Sequence, residues 1–426
     1  MGSLRDTTES FLKGDRRTDF RVLVVPLLIV LLAYPALMVY SPFRQADKIL
    51  LVAAALAAPL ILSRLNRVPW PTAWLVVLIA AYAVSNRFED DTSQGFKHTI
   101  ILVCMAVTFL AFATYGAELL SSGWGRLITG VVVIADVVAI VNGGFPKNAT
   151  GGALIYVVGV ACIAYAYVKK SSGWVPAVFL TAAAVAISIA YDFRFLLVCS
   201  VVFIGAFVGA KRLSFKLYRL AGAVVATLMV FIVIWFFFSV SSERGLSWEI
   251  GQTIKEISGH RANSGRDQLW PYIIYTMQKD SVLGLGAGTL PRDFMNTTLS
   301  AHSYYIQLYL QLGVVGLVVL ACFLLALWSM LARAQSPAGK LGSALFLMFC
   351  VHNATEVIMF QNNALVGVPA WCAIGLAVAL ELKSSTRNPD ATPLQSVKSQ
   401  SAGEKKLNWS EGLENRPTSS ALRSPR

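Results

Sequence analysis

The sequence predicts an all-α polytopic membrane protein with about 12 transmembrane helices and one large outer-face loop containing short helices. Three observations predict it. Of 426 residues, 56% are hydrophobic and only 14% charged, a balance foreign to water-soluble domains of this size. The apolar residues gather in long runs rather than in short alternating strands. Lys and Arg concentrate in alternate connections between those runs.

Residues 1–20 form a charged cytoplasmic tail, in which Lys13, Arg16 and Arg17 precede the first run and no cleavable signal pattern is present. Apolar runs follow at about 22 to 41, 49 to 63, 70 to 85, 98 to 115, 127 to 142, 151 to 168, 174 to 191, 195 to 210 and 217 to 240. These predict transmembrane helices 1–9 within residues 21–240. Runs at about 304 to 331, 341 to 360 and 364 to 381 predict helices 10–12 within 302–382. The tail 383–426 is rich in Ser, Pro, Lys and Arg without apolar periodicity, and disorder is expected there.

Orientation follows from the basic loops. Arg64 and Arg67, Arg126, Lys169 and Lys170, then Lys211, Arg212, Lys216 and Arg219, then Arg333 and Lys340 fall on one side together with both tails. That side is the cytoplasm, and the loop 241–301 lies outside the inner membrane. The net charge of +13 is therefore a membrane-topology signal, and no nucleic-acid partner is expected. Cys104, Cys162, Cys199, Cys322, Cys350 and Cys372 all sit inside apolar runs, where they read as small fillers rather than a disulfide or metal framework.

The loop 241–301 is the one long polar segment between two membrane blocks. Trp248, Ile250, Ile254 and Ile257 recur at helical spacing, as do Leu269, Tyr272, Ile273 and Met277. Two short amphipathic helices and a Gly-rich turn, LGLGAG before Thr289, are expected there as a cap on the membrane surface.

Three features carry candidate chemistry. Asp192, Phe193 and Arg194 interrupt an apolar stretch from 175 to 210, so they must form a tight turn on the outer side. Arg194 either pairs with Asp192 there or points its guanidinium into an outer-face cavity that holds an anion. Arg266 in SGRDQLW stands in the first turn of a helix, as an exposed charge or as an anion fork beside free amides; Arg261 and Arg292 are weaker candidates of the same kind. His302 lies where the loop re-enters the membrane, as a structural hydrogen-bonder or an acid-base group. The other histidines are His98 and His352 in apolar runs and His260 in the loop. No HExxH, Asp-rich loop or Cys/His cluster is present, so neither a metal nor another cofactor is expected.

The segment AHSYYIQLYLQLGVVGL, Ala301 to Leu317, resembles the HN-x-Y-L-Q-x-x-x-E-x-G-x-x-G-L motif of the O-antigen ligase and polymerase (Wzy C-terminal) superfamily. SGRDQLW and DSVLGLGAGTL resemble its G-R-x-x-x-W and P-x-x-G-x-G elements, and YDFRF resembles its Ser-Arg or Thr-Arg turn. Ser303 stands where the family has Asn, Gln311 where it frequently has Glu, and Phe193 where it has Ser or Thr. The resemblance implies a metal-independent inverting glycosyltransferase of the ligase type. Such an enzyme moves a polysaccharide from undecaprenyl diphosphate to lipid A-core on the periplasmic face, with membrane lipids around it. It further implies that Arg194 and Arg266 hold the diphosphate and that His302 is catalytic, beside the reacting hydroxyl. A polymerase or a protein-glycosylating member would use the same residues on another acceptor. A secondary transporter is the reading from another class; Glu356 in VHNATEVIMF is the charge it would claim.

Overall fold

A computed structural model describes residues 16–40, 46–62, 64–86, 92–170, 172–240, 245–258, 266–295, 300–361 and 363–387. Among the described residues the regular structure is helical, with no strand. In chain order the α-helices are α1 (Arg16–Leu32), α2 (Tyr34–Tyr40), α3 (Ala46–Leu62), α4 (Pro69–Ser85), α5 (Thr92–Leu119), α6 (Gly123–Asn142), α7 (Lys147–Lys169) and α8 (Trp174–Ala190). They continue with α9 (Phe195–Arg212), α10 (Phe215–Val240), α11 (Leu246–Ser258), α12 (Arg266–Thr276), α13 (Tyr304–Leu331), α14 (Pro337–His352) and α15 (Ala364–Arg387). Seven of the described helices, α5, α6, α7, α9, α10, α13 and α15, are long and apolar enough to cross a membrane, and α4 and α8 are shorter apolar helices. The protein is an α-helical membrane protein. Beyond Leu382 only residues 383–387, the end of α15, are described, so the expectation for the tail lies outside the described residues.

Three apolar runs are not single straight helices, and each departure has a local cause; the one within α13 belongs to the site described below. Between α1 and α2 the chain kinks at Ala33, because Pro35 has no N–H to continue the ladder; the next amide, Ala36, donates to Asp136 Oδ1 on α6 at 2.9 Å. The run 341 to 360 leaves the helix after His352 and continues as irregular buried backbone. Such backbone is tolerated at depth only if its polar groups are met by protein. Here Asn353 and Glu356 carbonyls accept from Tyr304 N–H at 2.9 and 3.1 Å, and the Met359 carbonyl accepts from Trp371 Nε1 at 2.5 Å.

The interior is built around α5, α7 and α15, while α6 and α10 turn most of their surface outward. Trp371 anchors it, with the rings of Phe109, Phe323, Phe349 and Phe360 centred 4.9 to 5.9 Å away in edge and stacked geometries. α9 packs on α14, and α13 packs on α4. The six cysteines are free, and five of them are buried.

Candidate functional site

α13 carries the site, and it is not one helix. At Gly313 the backbone turns to φ 61°, ψ −155°, outside any helical region. A regular helix would bond Val314 N–H to the Leu310 carbonyl and Val315 N–H to the Gln311 carbonyl. Instead Val314 donates to Ser281 O at 2.9 Å and Val315 to Val282 O at 3.1 Å. The Leu310 and Gln311 carbonyls accept from Leu285 N at 2.9 Å and Gly286 N at 3.2 Å. Segment 281–286, the start of the Gly-rich turn, is thus spliced into the helix. Both opened helical bonds are replaced by bonds to the loop, so no backbone group is orphaned where water is scarce.

Two glycines make the splice possible. Gly284 and Gly313 both have positive φ, 78° and 61°, a region side-chain-bearing residues rarely adopt. They also face one another's strands: a Cβ on Gly284 would fall on the Gln311 carbonyl, and one on Gly313 on the Val282 carbonyl.

A buried amide cluster fastens the far side of the loop. Gln307 and Gln311 Nε2 donate to Thr289 O at 2.8 and 3.2 Å. His98 Nδ1 lies 2.9 Å from Ala287 O, and its Nε2 lies 2.9 Å from the Gln94 amide. The Nδ1–H tautomer satisfies both, donating to the carbonyl and accepting from Gln94. Gln361 Nε2 donates to Tyr82 Oη at 2.6 Å and also contacts Gln311 Oε1.

The turn that follows α14, residues 352–356, is where the motif segments meet. Arg266, the first residue of α12, donates from Nη2 to Thr355 O at 3.0 Å and stands 3.7 Å from Glu356 Oε1. Glu356 also accepts from Asn148 Nδ2, at the start of α7, at 3.0 Å. Both charged side chains are largely buried, 15% and 11% exposed. The added hydrogen bonds are what such a pair needs to offset its desolvation.

His302 enters from the other side. Its φ of 50° is the left-handed conformation, uncommon for a residue with a side chain though less so for His. It is held there because Ser303 caps α13, its Oγ accepting from Ile306 N–H, and Tyr304 N–H is drawn onto the 353–356 turn. His302 Nδ1 is buried and bonds to no group among the described residues. Burial and the nearby Arg266 charge push the imidazole down from 6.5 to about 4, so it is neutral at pH 7.

The third motif arrives through an aromatic contact. Phe193 lies against His352, ring centroids 5.4 Å apart, and His352 Nδ1 is held by Tyr156 Oη at 3.0 Å. Its neighbour Arg194 turns outward to Asp192, with Nη2 3.1 Å from Oδ1, in a half-exposed pair on a turn where Asp192 has φ 52°.

Of the candidates read from sequence, Arg266 and His302 share one cluster, and the turn bearing Arg194 abuts the same segment with its guanidinium on Asp192. Arg292 is exposed on the short turn Pro291–Asp293, 3.8 Å from Asp293. Arg261 and His260 lie outside the described residues. Glu356 is the member that sequence reasoning placed in another role, although a carboxylate in an apolar run always asks for a cation and Arg266 supplies it. Asn148 and Thr355 gave no signal, because their part is a single amide and a single carbonyl. No protein-family model matches the chain, and neither does any curated protein.

Proposed function

We propose that the chain is a bacterial inner-membrane glycosyltransferase of the O-antigen ligase type, with about twelve spans, both tails cytoplasmic and its site facing the periplasm. The observation that supports this most is the meeting of Arg266 and His302 on residues 352–356, with the Arg194 turn against the same segment. These are the residues that the motif resemblance singles out, and they come from separate parts of the chain.

The chemistry follows from the groups present. The donor is a glycan on undecaprenyl diphosphate, and the acceptor is a hydroxyl of lipid A-core. The acceptor oxygen attacks the anomeric carbon, the carbon–oxygen bond to the diphosphate breaks, and the hydroxyl proton passes to His302. Arg266, with Arg194 swung from Asp192, stabilises the charge that collects on the departing diphosphate. Displacement in one step inverts the anomeric centre. An imidazole near 4, lowered chiefly by burial and further by Arg266, is a weak base, but a bound diphosphate offsets the Arg266 part, so His302 regains some basicity when the donor is in place.

Two alternatives remain in view. A polymerase or protein-glycosylating member of the superfamily would run the same step on another acceptor. A transporter reading draws on the interrupted α13 and the buried Arg266–Glu356 pair, both features of transport sites. Reconstitution in nanodiscs with the lipid-linked glycan separates them. Transfer to lipid A-core supports the ligase, transfer to a second lipid-linked glycan makes it a polymerase, and transfer to a pilin-type protein makes it a protein glycosyltransferase. No transfer, with solute flux into liposomes abolished by Glu356→Gln, makes it a transporter.

A further inference from the structure

An apolar groove of about 230 Å³ runs along α13 between α10, α13 and α14, from Trp328 at one end to Tyr305 and Cys350 at the other. Ala223, Ala226, Thr227 and Val230 supply one wall, on one face of α10, and small Ala321 lies opposite. Trp328 closes one end, its Nε1 donating to Arg219 O at 2.8 Å. Arg219 is one turn before Ala223 and continues the same helical face, so its charge stands at the mouth of the groove.

A second cation is there too. Arg219 and Arg333 both lie over the Phe215 ring, with guanidinium carbons 5.4 and 5.6 Å from its centroid. Both are exposed, and neither pairs with a carboxylate among the described residues. Two like charges held on one ring repel each other, and an anion placed between them removes that cost. The face from Arg219 to Val230 rises about 17 Å, roughly half of the ~30 Å hydrocarbon thickness and so the reach of one leaflet's chains.

We propose that this groove is a binding site for one anionic glycerophospholipid, its phosphate on Arg219 and Arg333 and an acyl chain along Ala223, Ala226 and Thr227. The charge selects the headgroup, and the small side chains leave room for the tail. The far end of the groove reaches Tyr305, three residues from His302, but the headgroup is assigned to the Arg219 end, and that assignment does not depend on the function proposed for the His302 cluster.

Native mass spectrometry of the full chain, released from nanodiscs of equal phosphatidylglycerol and phosphatidylcholine with matched chains, tests it. Wild type should retain one phosphatidylglycerol in preference to the choline lipid. Arg219→Gln with Arg333→Gln should retain it roughly 10-fold to 30-fold less, the effect of two juxtamembrane cations. Ala226→Trp, which fills the groove while keeping both charges, should also lose it, and unchanged melting of both variants shows that they are folded. Equal retention of the two lipids, or wild-type retention in the Arg double variant, overturns the site. Displacement of phosphatidylglycerol by added undecaprenyl phosphate, itself lost in Ala226→Trp, overturns the occupant and makes the groove a polyprenyl channel.

Discussion

The two ends of α13 handle positive charge in opposite ways. Near His302, Arg266 is buried, donates to a backbone carbonyl and faces Glu356, in a setting of irregular chain and left-handed residues. At the other end, Arg219 and Arg333 are exposed and rest on an aromatic face between regular helices. A buried guanidinium is costly to install and is kept where its field acts on something; an exposed one costs little and reads the membrane surface. On the functions proposed above, the contrast separates the site for chemistry from the site for seating a lipid.

The sharpest way to break the comparison is at the buried end. Arg266→Ala should lower glycan transfer roughly 100-fold to 1,000-fold and also destabilise the fold, since Glu356 is left buried without its cation. Arg266→Lys should recover little, because a point charge cannot serve a carbonyl and a diphosphate together. Transfer rates measured with purified variants decide it, and full activity in Arg266→Ala would falsify the diphosphate role.

His302→Gln is expected to reduce the rate roughly 100-fold to 10,000-fold with donor binding unchanged, because Gln keeps a hydrogen bond but cannot take the proton. The pH profile refines this. The imidazole is neutral above its depressed value, so kcat/KM should be flat from pH 8 down to about 5 and fall only as pH drops through about 4. The same shift makes acid destabilising: the neutral form is favoured in the fold, so its contribution is present above 6.5 and lost as pH falls toward 4. A break near 6.5 in wild type, or an identical profile in His302→Gln, would assign the proton to another group.

A smaller effect, roughly 10-fold, is expected for Arg194→Ala. Asp192→Asn should leave transfer intact or raise it, since it releases Arg194 for the donor. If both variants behave as wild type, the turn is structural and its ion pair is the whole of its role.

At the level of helices the chain was legible, because hydropathy depends on composition over many residues and survives local irregularity. The interruption of α13 was not. QLGVVGL reads as an ordinary apolar stretch, and Gly is common in such helices; what breaks it is a loop that ends near residue 290 and supplies the missing partners. The same holds for residues 353–361, which are as buried and apolar as a helix but serve as acceptors for Tyr304 and Trp371. In the site, Arg266 and His302 were visible from residue type and position. The pairing of Arg194 with Asp192, two residues away, was one of the two alternatives the turn offered; the partner of Arg266 was decided by a tertiary contact that no spacing encodes.

The break at Gly313 also acts as a ruler. Val314 to Leu331 alone rises about 27 Å, close to the hydrocarbon thickness, while Tyr304 to Leu312 adds only about 14 Å and contains buried Gln307 and Gln311. The longer portion is therefore enough to cross the bilayer by itself, and in the orientation proposed above the shorter one stands as a post on the outer side. In that orientation His302, at the head of the post, would stand toward the depth at which a lipid's phosphates give way to its first sugars. Inserting or deleting one helical turn between Tyr304 and Leu312 would shift His302 by about 5 Å against Arg266 on α12 without substituting either residue.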